Sequence, residues 1–204
     1  MTKKNRRRNK KNYRRLLSFI GVGIGLAALT LALVLAFGKK DTAESLTAST
    51  EVSDSSSSYS VTPGEVNYPA PELALQNVNG NKEALTDYDD KVVLVNNWAT
   101  WCPPCKAEIP TLEEYYKVHS VDGFVIIGIE AGEPQAEVLD FIESAGITYP
   151  IWLDPRNSAL RAFGNGNLPN SFVIDRKGIV RLAWVGEINR EMLEEYVTPI
   201  IAEN

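Results

Sequence analysis

The sequence is poor in the residues that build metal sites and disulfide scaffolds. Its 204 residues include two cysteines, one histidine and two methionines. Two cysteines cannot form a multi-disulfide framework or a four-thiolate zinc site. With 44% hydrophobic residues, the chain also has too much apolar surface to be disordered throughout. Its length limits it to one or two domains.

The N-terminal part of the chain lacks acidic residues. None precedes Asp41, whereas nine of the 21 basic residues lie within residues 1–15. From Asp41 onward, 26 acidic residues accompany only 10 basic ones. The net charge of -5 therefore combines a basic N-terminal segment with an acidic remainder. An acidic domain argues against binding to nucleic acid.

Charge is also missing from residues 16–37, a run of 22 residues. At about 1.5 Å per residue, a helix of this length spans the hydrocarbon core of a bilayer, about 30 Å. The basic segment before it places the N terminus in the cytoplasm and the rest of the chain outside. A cleaved secretory signal is the alternative, but its apolar region is usually shorter, about 7–15 residues. We therefore predict an uncleaved, single-pass transmembrane anchor.

The anchor is followed by a segment rich in serine and threonine, residues 38–67, which lacks a periodic apolar pattern. Such a segment cannot bury enough surface to fold, so we predict a flexible linker. Residues 68–204 have the length of one domain. Within the anchor, Gly21 and Gly25 form a single GxxxG pair, which is weak evidence for helix dimerisation. We expect a monomer.

The predicted domain alternates between strand and helix patterns. A hairpin is predicted around Asn79-Gly80, where an Asn-Gly turn separates short apolar segments. Further strands are predicted at residues 92–95, 124–129, 149–153, 171–174 and 179–184. Helices are predicted at residues 103–118, 134–145, 158–163 and 189–202. This order predicts an α/β fold with a mixed central sheet flanked by helices.

Both cysteines belong to one motif, Trp101-Cys102-Pro103-Pro104-Cys105, between a predicted buried strand and a predicted helix. Cys102 would lie at the helix N terminus, where unpaired N–H groups and the helix dipole favour a thiolate. Pro103 suits the first helical turn because no amide donor is needed there. Cys105 follows one turn later on the same side, so the two thiols can form a disulfide. The pattern predicts an exposed Cys102 that attacks and a more buried Cys105 that resolves the mixed disulfide.

Two other uses of the motif remain open at this point. A purely structural disulfide is possible outside the cytoplasm, although such a short loop constrains the unfolded chain little. The cysteines would also supply half of a metal site, but His119 is the sole histidine and there is no second cysteine pair. We predict no metal and no organic cofactor, because a redox-active Cys102–Cys105 pair itself carries two electrons.

Residues 96–106 resemble the active-site segment of thioredoxins. Pro110 matches the proline inside the active-site helix, Leu168-Pro169 resembles the cis-proline loop, and residues 174–186 resemble the closing hairpin. The predicted anchor, the N-terminal hairpin and the helix inserted after residues 124–129 make the chain similar to the membrane-anchored TlpA/ResA/CcmG-like branch. The resemblance covers about residues 68–203 and implies a thioredoxin-like fold.

The resemblance assigns roles to individual residues. Asn96 stands where cytoplasmic thioredoxins have a buried aspartate, so that base is missing. Glu108 stands where the membrane-anchored branch has an acidic residue near the dithiol, and helix spacing places it on the same face as Cys105. Partial burial would raise the pKa of Glu108 and make it a proton acceptor for Cys105. The alternative is a solvated surface glutamate.

A second group of residues is expected to contact the substrate: Trp101, Pro103, Leu168 and Pro169. The resemblance implies a cis peptide bond before Pro169, which leaves the backbone of Leu168 open to an extended substrate. The alternative is an ordinary trans proline in a turn. The sequence departs from the thioredoxin pattern where Asn170 replaces a small hydroxyl residue and where Asn97 replaces an aromatic residue before Trp98.

The combined prediction is an extracytoplasmic, membrane-anchored thiol–disulfide oxidoreductase. The resemblance implies reduction of exported proteins, such as apocytochrome c or oxidised methionine sulfoxide reductases. It also implies a membrane electron donor that resembles a CcdA-type thiol transporter. The alternatives are an oxidase that forms disulfides in secreted proteins and a non-catalytic binding module with a thioredoxin fold. A peroxidase is disfavoured because Ala99 occupies the position of the threonine in the peroxiredoxin TxxC motif.

Overall fold

The structure is a computed structural model that describes residues 61–203. The predicted basic segment (1–15), the predicted anchor (16–37) and most of the predicted linker lie outside these residues. Within residues 61–203, no helix is long and apolar enough to cross a bilayer.

A mixed sheet of eight strands organises the described region. The strands are β1 (Gly64–Pro69), β2 (Ala74–Asn77), β3 (Lys82–Ala84), β4 (Val92–Trp98), β5 (Phe124–Glu130), β6 (Ile151–Leu153), β7 (Asn170–Ile174) and β8 (Ile179–Val185). Their order across the sheet is β1-β8-β7-β4-β5-β6-β2-β3. The pairs β4–β5 and β5–β6 are parallel, and the remaining pairs are antiparallel. The predicted α/β class, the mixed sheet and the β2–β3 hairpin are confirmed.

Apart from two short 3-10 turns, Leu85–Tyr88 and Ser120–Asp122, four helices connect and cover the strands. They are α1 (Pro103–His119), α2 (Gln135–Ala145), α3 (Ser158–Ala162) and a C-terminal helix, α4, which comprises Arg190–Met192, Leu193–Val197 and Thr198–Ala202. The predicted cap of α4 is present, since the Asn189 side chain accepts a hydrogen bond from Met192 N at 2.9 Å. The middle of α4 is a π-helical turn rather than a regular α-helix. This turn ends at Val197, two residues before Pro199, which has no amide hydrogen for the helical ladder.

The apolar runs of the central strands are explained by burial on both faces. All seven residues of β4 and all seven of β5 are buried. Because side chains alternate along a strand, Val92 and Leu94 join the core beneath α1, α2 and α4, whereas Val93 and Val95 join the core on the opposite face, which includes Ala159 of α3. The continuous apolar pattern at residues 92–95 thus marks the centre of the sheet.

The predicted boundary between linker and domain is wrong by a few residues. Residues 64–67, assigned to the linker from the sequence, belong to β1, which pairs antiparallel with β8. Val66 and Tyr68 pack against the core on one face, while their strand neighbours are exposed. Two alternating side chains are enough for an edge strand once β8 supplies hydrogen-bond partners, but they are too few to stand out in a polar sequence.

Candidate active site

Cys102 lies at the end of the connection between β4 and α1, and Cys105 lies in the first turn of α1. The two residues are joined by a disulfide bond. Cys102 is the N-cap of α1, and its sulfur accepts a hydrogen bond from Cys105 N at 3.3 Å. Pro103 occupies the first helical turn, as predicted. The structure therefore gives Cys102 the helix N-terminal position that favours a thiolate after reduction.

The prediction that Cys102 is exposed is wrong for this oxidised form. Its exposed fraction is 3%, against 0% for Cys105. The disulfide turns the Cys102 sulfur towards Cys105, where it also receives the Cys105 N–H. Cys105 is the more buried of the two, as expected, but the difference is small while the bond is intact. A thiol that attacks this disulfide therefore has only a small exposed part of Cys102 within reach.

The rim of the cysteine motif is apolar. Trp101 is 66% exposed, Pro103 is exposed and Leu168 is partly exposed. Val185, at the end of β8, is 39% exposed. Isolated apolar side chains are common on protein surfaces, but large ones beside a reactive pair are suited to contact a partner. The neighbouring Trp98 is different, because it is fully buried against Phe141 with ring centroids 5.3 Å apart.

The cis-proline loop is brought to the same edge of the sheet by the pairing of β4 with β7. Asn97 near the end of β4 lies opposite Asn170 at the start of β7. The chain leaves β4 towards Cys102 and enters β7 from Leu168-Pro169, so both loops emerge at this edge. The Leu168-Pro169 peptide bond is cis, which confirms the prediction. Pro169 is buried, and its carbonyl accepts a hydrogen bond from Gly186 N at 2.8 Å.

Glu108 is completely buried, more so than the sequence predicted. It lies one turn after Cys105 on α1, on the same face of the helix. Burial raises the pKa of Glu108 to about 8, and the nearby charge of Glu187 adds to this effect. Hydrogen bonds from Asn96 and from the Ile188 amide act in the opposite direction. The side chain can thus hold or release a proton near neutral pH.

Asn96 provides the main hydrogen bond to that carboxyl. Its Nδ2 donates to Glu108 Oε1 at 2.7 Å and to Ser171 Oγ at 3.0 Å. Sequence comparison treated Asn96 only as the loss of a buried aspartate. In the structure, the Asn96 side chain is hydrogen-bonded to the carboxyl group of Glu108. The ionisable group near the dithiol is therefore on α1, and not at position 96 of β4.

Tyr149 is a neighbour of Glu108 that sequence reasoning missed. Its hydroxyl is buried and has no hydrogen-bond partner among residues 61–203; the same is true of Asn96 Oδ1 and Trp98 Nε1. Burial raises the pKa of Tyr149, and the charge of Glu108 raises it further. The sequence marked Tyr149 only as an apolar residue near a strand, since nothing in its spacing connects it with Glu108.

Two carboxyl groups, those of Glu130 and Glu133, hold the segment before Cys102. Glu133 accepts a hydrogen bond from Thr100 N at 2.6 Å and another from the Thr100 hydroxyl. Glu130, at the end of β5, accepts hydrogen bonds from Glu133 N at 3.0 and 3.1 Å. Burial raises the pKa of Glu130 to about 7, with further contributions from the hydrogen bond and charge of the Glu133 side chain. Both residues escaped sequence analysis, although an acidic residue ending a buried strand was a visible signal.

The described residues show no group of three histidine, cysteine, aspartate or glutamate side chains arranged to hold a metal ion. His119 lies at the far end of α1. Its ring faces Tyr115 at 4.3 Å between centroids, and its nitrogens lie 3.8 Å from Asp122 and 3.5 Å from Glu194. This environment is that of a structural histidine at a helix end.

Comparison with known proteins gives the same picture as the geometry. The sequence profile of the AhpC/TSA family matches residues 66–183. The chain is 37% identical over 131 residues to the thiol-disulfide oxidoreductase ResA of Geobacillus thermodenitrificans, covering 64% of this chain and 75% of that protein. It is 34% identical over 131 residues to ResA of Bacillus subtilis, covering 64% of this chain and 73% of that protein.

Solved structures agree in fold. A thiol:disulfide interchange protein of the thioredoxin family from Chlorobium tepidum superposes with a TM-score of 0.61 at 30% sequence identity, over 68% of this chain and 99% of that one. A DsbF homologue from Corynebacterium diphtheriae gives a TM-score of 0.63 at 24% identity, over 68% and 93% of the two chains. The predicted thioredoxin-like fold is thus confirmed. The chain belongs to the thioredoxin-like AhpC/TSA family and, as its relatives show, is a thiol-disulfide oxidoreductase of the ResA type.

Proposed function

We propose that this oxidoreductase is anchored in the membrane and reduces disulfides of exported proteins, with Cys102, Cys105 and Glu108 as its catalytic residues. The observation that carries the proposal is the placement of a buried carboxyl, Glu108, beneath a disulfide at a helix N terminus. A structural disulfide needs no proton-transfer group, whereas a pair that opens and closes in each cycle does.

The proposed cycle starts from the reduced protein. The Cys102 thiolate attacks a substrate disulfide, forms a mixed disulfide and releases one substrate thiolate, which takes up a proton. Glu108 then accepts the proton of the Cys105 thiol, and the Cys105 sulfur attacks Cys102. The second substrate thiolate leaves and takes up a proton, Glu108 gives up the proton it accepted, the Cys102–Cys105 disulfide forms, and two electrons have passed to the substrate. No metal or organic cofactor takes part.

The direction of the reaction follows from the relative stability of the two forms. A dithiol protein is a strong oxidant when its reduced form is stabilised. Here the ionisable group next to Cys105 on α1 is a buried carboxyl, Glu108, which does not stabilise a thiolate. The helix N terminus stabilises the Cys102 thiolate, whereas the buried Glu108 opposes ionisation of Cys105. We propose that the second effect prevails, as the resemblance to the TlpA/ResA/CcmG-like branch implies, so that the reduced protein readily gives up its electrons.

The proposed location in the cell rests on the amino-acid sequence. The uncharged residues 16–37 and the basic segment 1–15 support an anchor with the catalytic domain outside the cytoplasm. A reductase in that compartment needs electrons from the cytoplasmic side, so we propose a membrane dithiol protein of the CcdA type as its donor. The proposed substrates are exported proteins with accessible disulfides, such as apocytochromes c or oxidised methionine sulfoxide reductases, as the resemblance to the TlpA/ResA/CcmG-like branch implies.

The reduction potential tests the direction. We expect the purified domain, equilibrated in dithiol buffers of defined potential, to show a midpoint near the value of thioredoxin, about -270 mV. The readout is the fraction of alkylated Cys102 and Cys105 by mass spectrometry. A midpoint close to that of DsbA, about -120 mV, would show an oxidase and reject the proposed direction.

A further inference from the structure

Two buried asparagines connect β4 to β7 directly behind the cis-proline loop. Asn97 Nδ2 donates a hydrogen bond to Asn170 Oδ1 at 2.7 Å, and the two residues are 1% and 0% exposed. These are the two positions at which the sequence departs from the thioredoxin pattern of an aromatic residue and a small hydroxyl residue. The structure shows that the two departures are partners in one interaction.

Asn170 also reaches into the loop that precedes Pro169. Its Nδ2 donates to the carbonyl of Asn167 at 2.5 Å and lies 3.5 Å from the carbonyl of Asn165. Asn165 in turn accepts a hydrogen bond from Asn167 N through its side chain, at 3.0 Å. A hydroxyl side chain has one donor and a shorter reach, so it cannot bind Asn97 and the loop carbonyls together.

The loop held in this way presents an open stretch of backbone beside the disulfide. Among residues 61–203, no backbone group is hydrogen-bonded to the N–H or C=O of Leu168, whereas the carbonyl of Pro169 is bonded to Gly186 N. An extended polypeptide can therefore pair with Leu168 as an additional strand. The position of Leu168 depends on the loop, and the loop depends on the Asn170 amide.

We propose that the Asn97–Asn170 pair positions the backbone of Leu168 for docking of an extended polypeptide, and thereby distinguishes protein substrates from small disulfides. The inference rests on the proposed function, because it concerns how the same dithiol selects its substrate. Asn97 and Asn170 are positioning residues. Their hydrogen bonds run to each other and to the loop carbonyls at 165 and 167.

The test compares a protein disulfide with a small one in the same reduced enzyme. Insulin serves as the polypeptide, and 5,5′-dithiobis(2-nitrobenzoate) serves as the small disulfide. For Asn170→Ser we expect the KM for insulin to rise about five- to tenfold, with the rate towards the small disulfide within about twofold of the wild type. Asn97→Ser, which removes only the cross-strand bond, is expected to change the insulin KM in the same direction by a smaller factor.

Asn77→Ser is the matched control. Asn77 is also a buried asparagine, 8% exposed, whose side chain holds a tight turn by binding the amides of Asn79 and Asn81. It lies in the β2–β3 hairpin at one end of the sheet, separated from β4 by β5 and β6, so its variant is expected to lose stability without a change in the insulin KM.

The outcomes separate the two claims. Equal losses on both substrates, or an unchanged insulin KM in both Asn97→Ser and Asn170→Ser, would overturn the positioning role alone. A wild-type enzyme that reduces neither substrate would overturn the proposed function itself.

Discussion

A Cys102→Ser protein is expected to lose thiol–disulfide exchange completely, by at least about three orders of magnitude, because a serine hydroxyl does not ionise to a nucleophile as a thiol does. The fold is expected to persist, since the disulfide closes only a short loop and the side chain is replaced by one of similar shape. The measurement is the rate of insulin reduction in the presence of excess dithiothreitol.

Cys105→Ser provides the matched comparison for this prediction. It retains the attacking thiol at the helix N terminus, so in a single turnover without dithiothreitol we expect one rapid attack per molecule followed by a stalled mixed disulfide. Catalytic turnover would be lost while stoichiometric release of the first substrate thiol is kept. If the wild type reduced insulin no faster than the background rate seen with Cys102→Ser, the chain would belong to the class of non-catalytic binding modules.

The second large effect is expected from Glu108→Gln. The pKa of Glu108 is raised by burial to about 8, so its carboxyl ionises at the pH where a cysteine thiol begins to do so. We expect the resolving step, in which Cys105 attacks Cys102, to be about 100-fold slower at pH 7 in the variant. In the wild type, the rate of the resolving step is expected to rise as the pH passes through 8. In Glu108→Gln this rise in the pH–rate profile should be absent. Stopped-flow measurement of the second thiol released gives the profile.

The raised pKa of Glu108 also determines how the stability of the folded state changes with pH. Because the pKa of Glu108 is about 8 in the folded state and near its ordinary value of 4.5 in the unfolded state, the folded state binds this proton more tightly. The contribution of Glu108 to the free energy of unfolding is therefore fully present below about pH 4.5 and is lost as the pH rises towards 8. Glu108→Gln should show a smaller loss over this range, as measured by chemical denaturation. Glu130, whose pKa is raised to about 7, contributes a decline of the same sign in both proteins.

Glu114→Gln is the control for Glu108→Gln. Glu114 lies on the same helix but is exposed, so its amide variant should match the wild type in both the pH–rate profile and the denaturation series. An unchanged resolving step in Glu108→Gln would remove Glu108 from the catalytic residues and leave it as a buried structural carboxyl.

Much of the fold was predictable because its centre is built from local signals. The short apolar runs at residues 92–95 and 124–129 are typical of buried strands, and Gly146 ends α2 in the left-handed conformation that glycine favours. The cysteine motif between strand and helix likewise specified the N-capping position of Cys102. Each of these features depends on neighbours within a few residues along the chain.

The features that were missed depend on contacts distant in sequence. The Asn97–Asn170 bond joins residues 73 positions apart, and the Thr100–Glu133 bonds join residues 33 apart. The sequence marked Asn97 and Asn170 as departures from the thioredoxin pattern but not as partners, and nothing in it singled out Thr100 or Glu133. The sequence therefore located the reactive sulfurs but not the side chains that hold the two loops around them.

The central claim is that Cys102 forms the covalent intermediate and Cys105 resolves it. The most direct test is to mix reduced Cys105→Ala protein with insulin and to locate the covalent adduct by mass spectrometry of peptides under non-reducing conditions. The account predicts a stable adduct on Cys102, formed in stoichiometric amount, and none in Cys102→Ala. Absence of an adduct on Cys102 in Cys105→Ala, or an adduct of equal yield on Cys105 in Cys102→Ala, would contradict it.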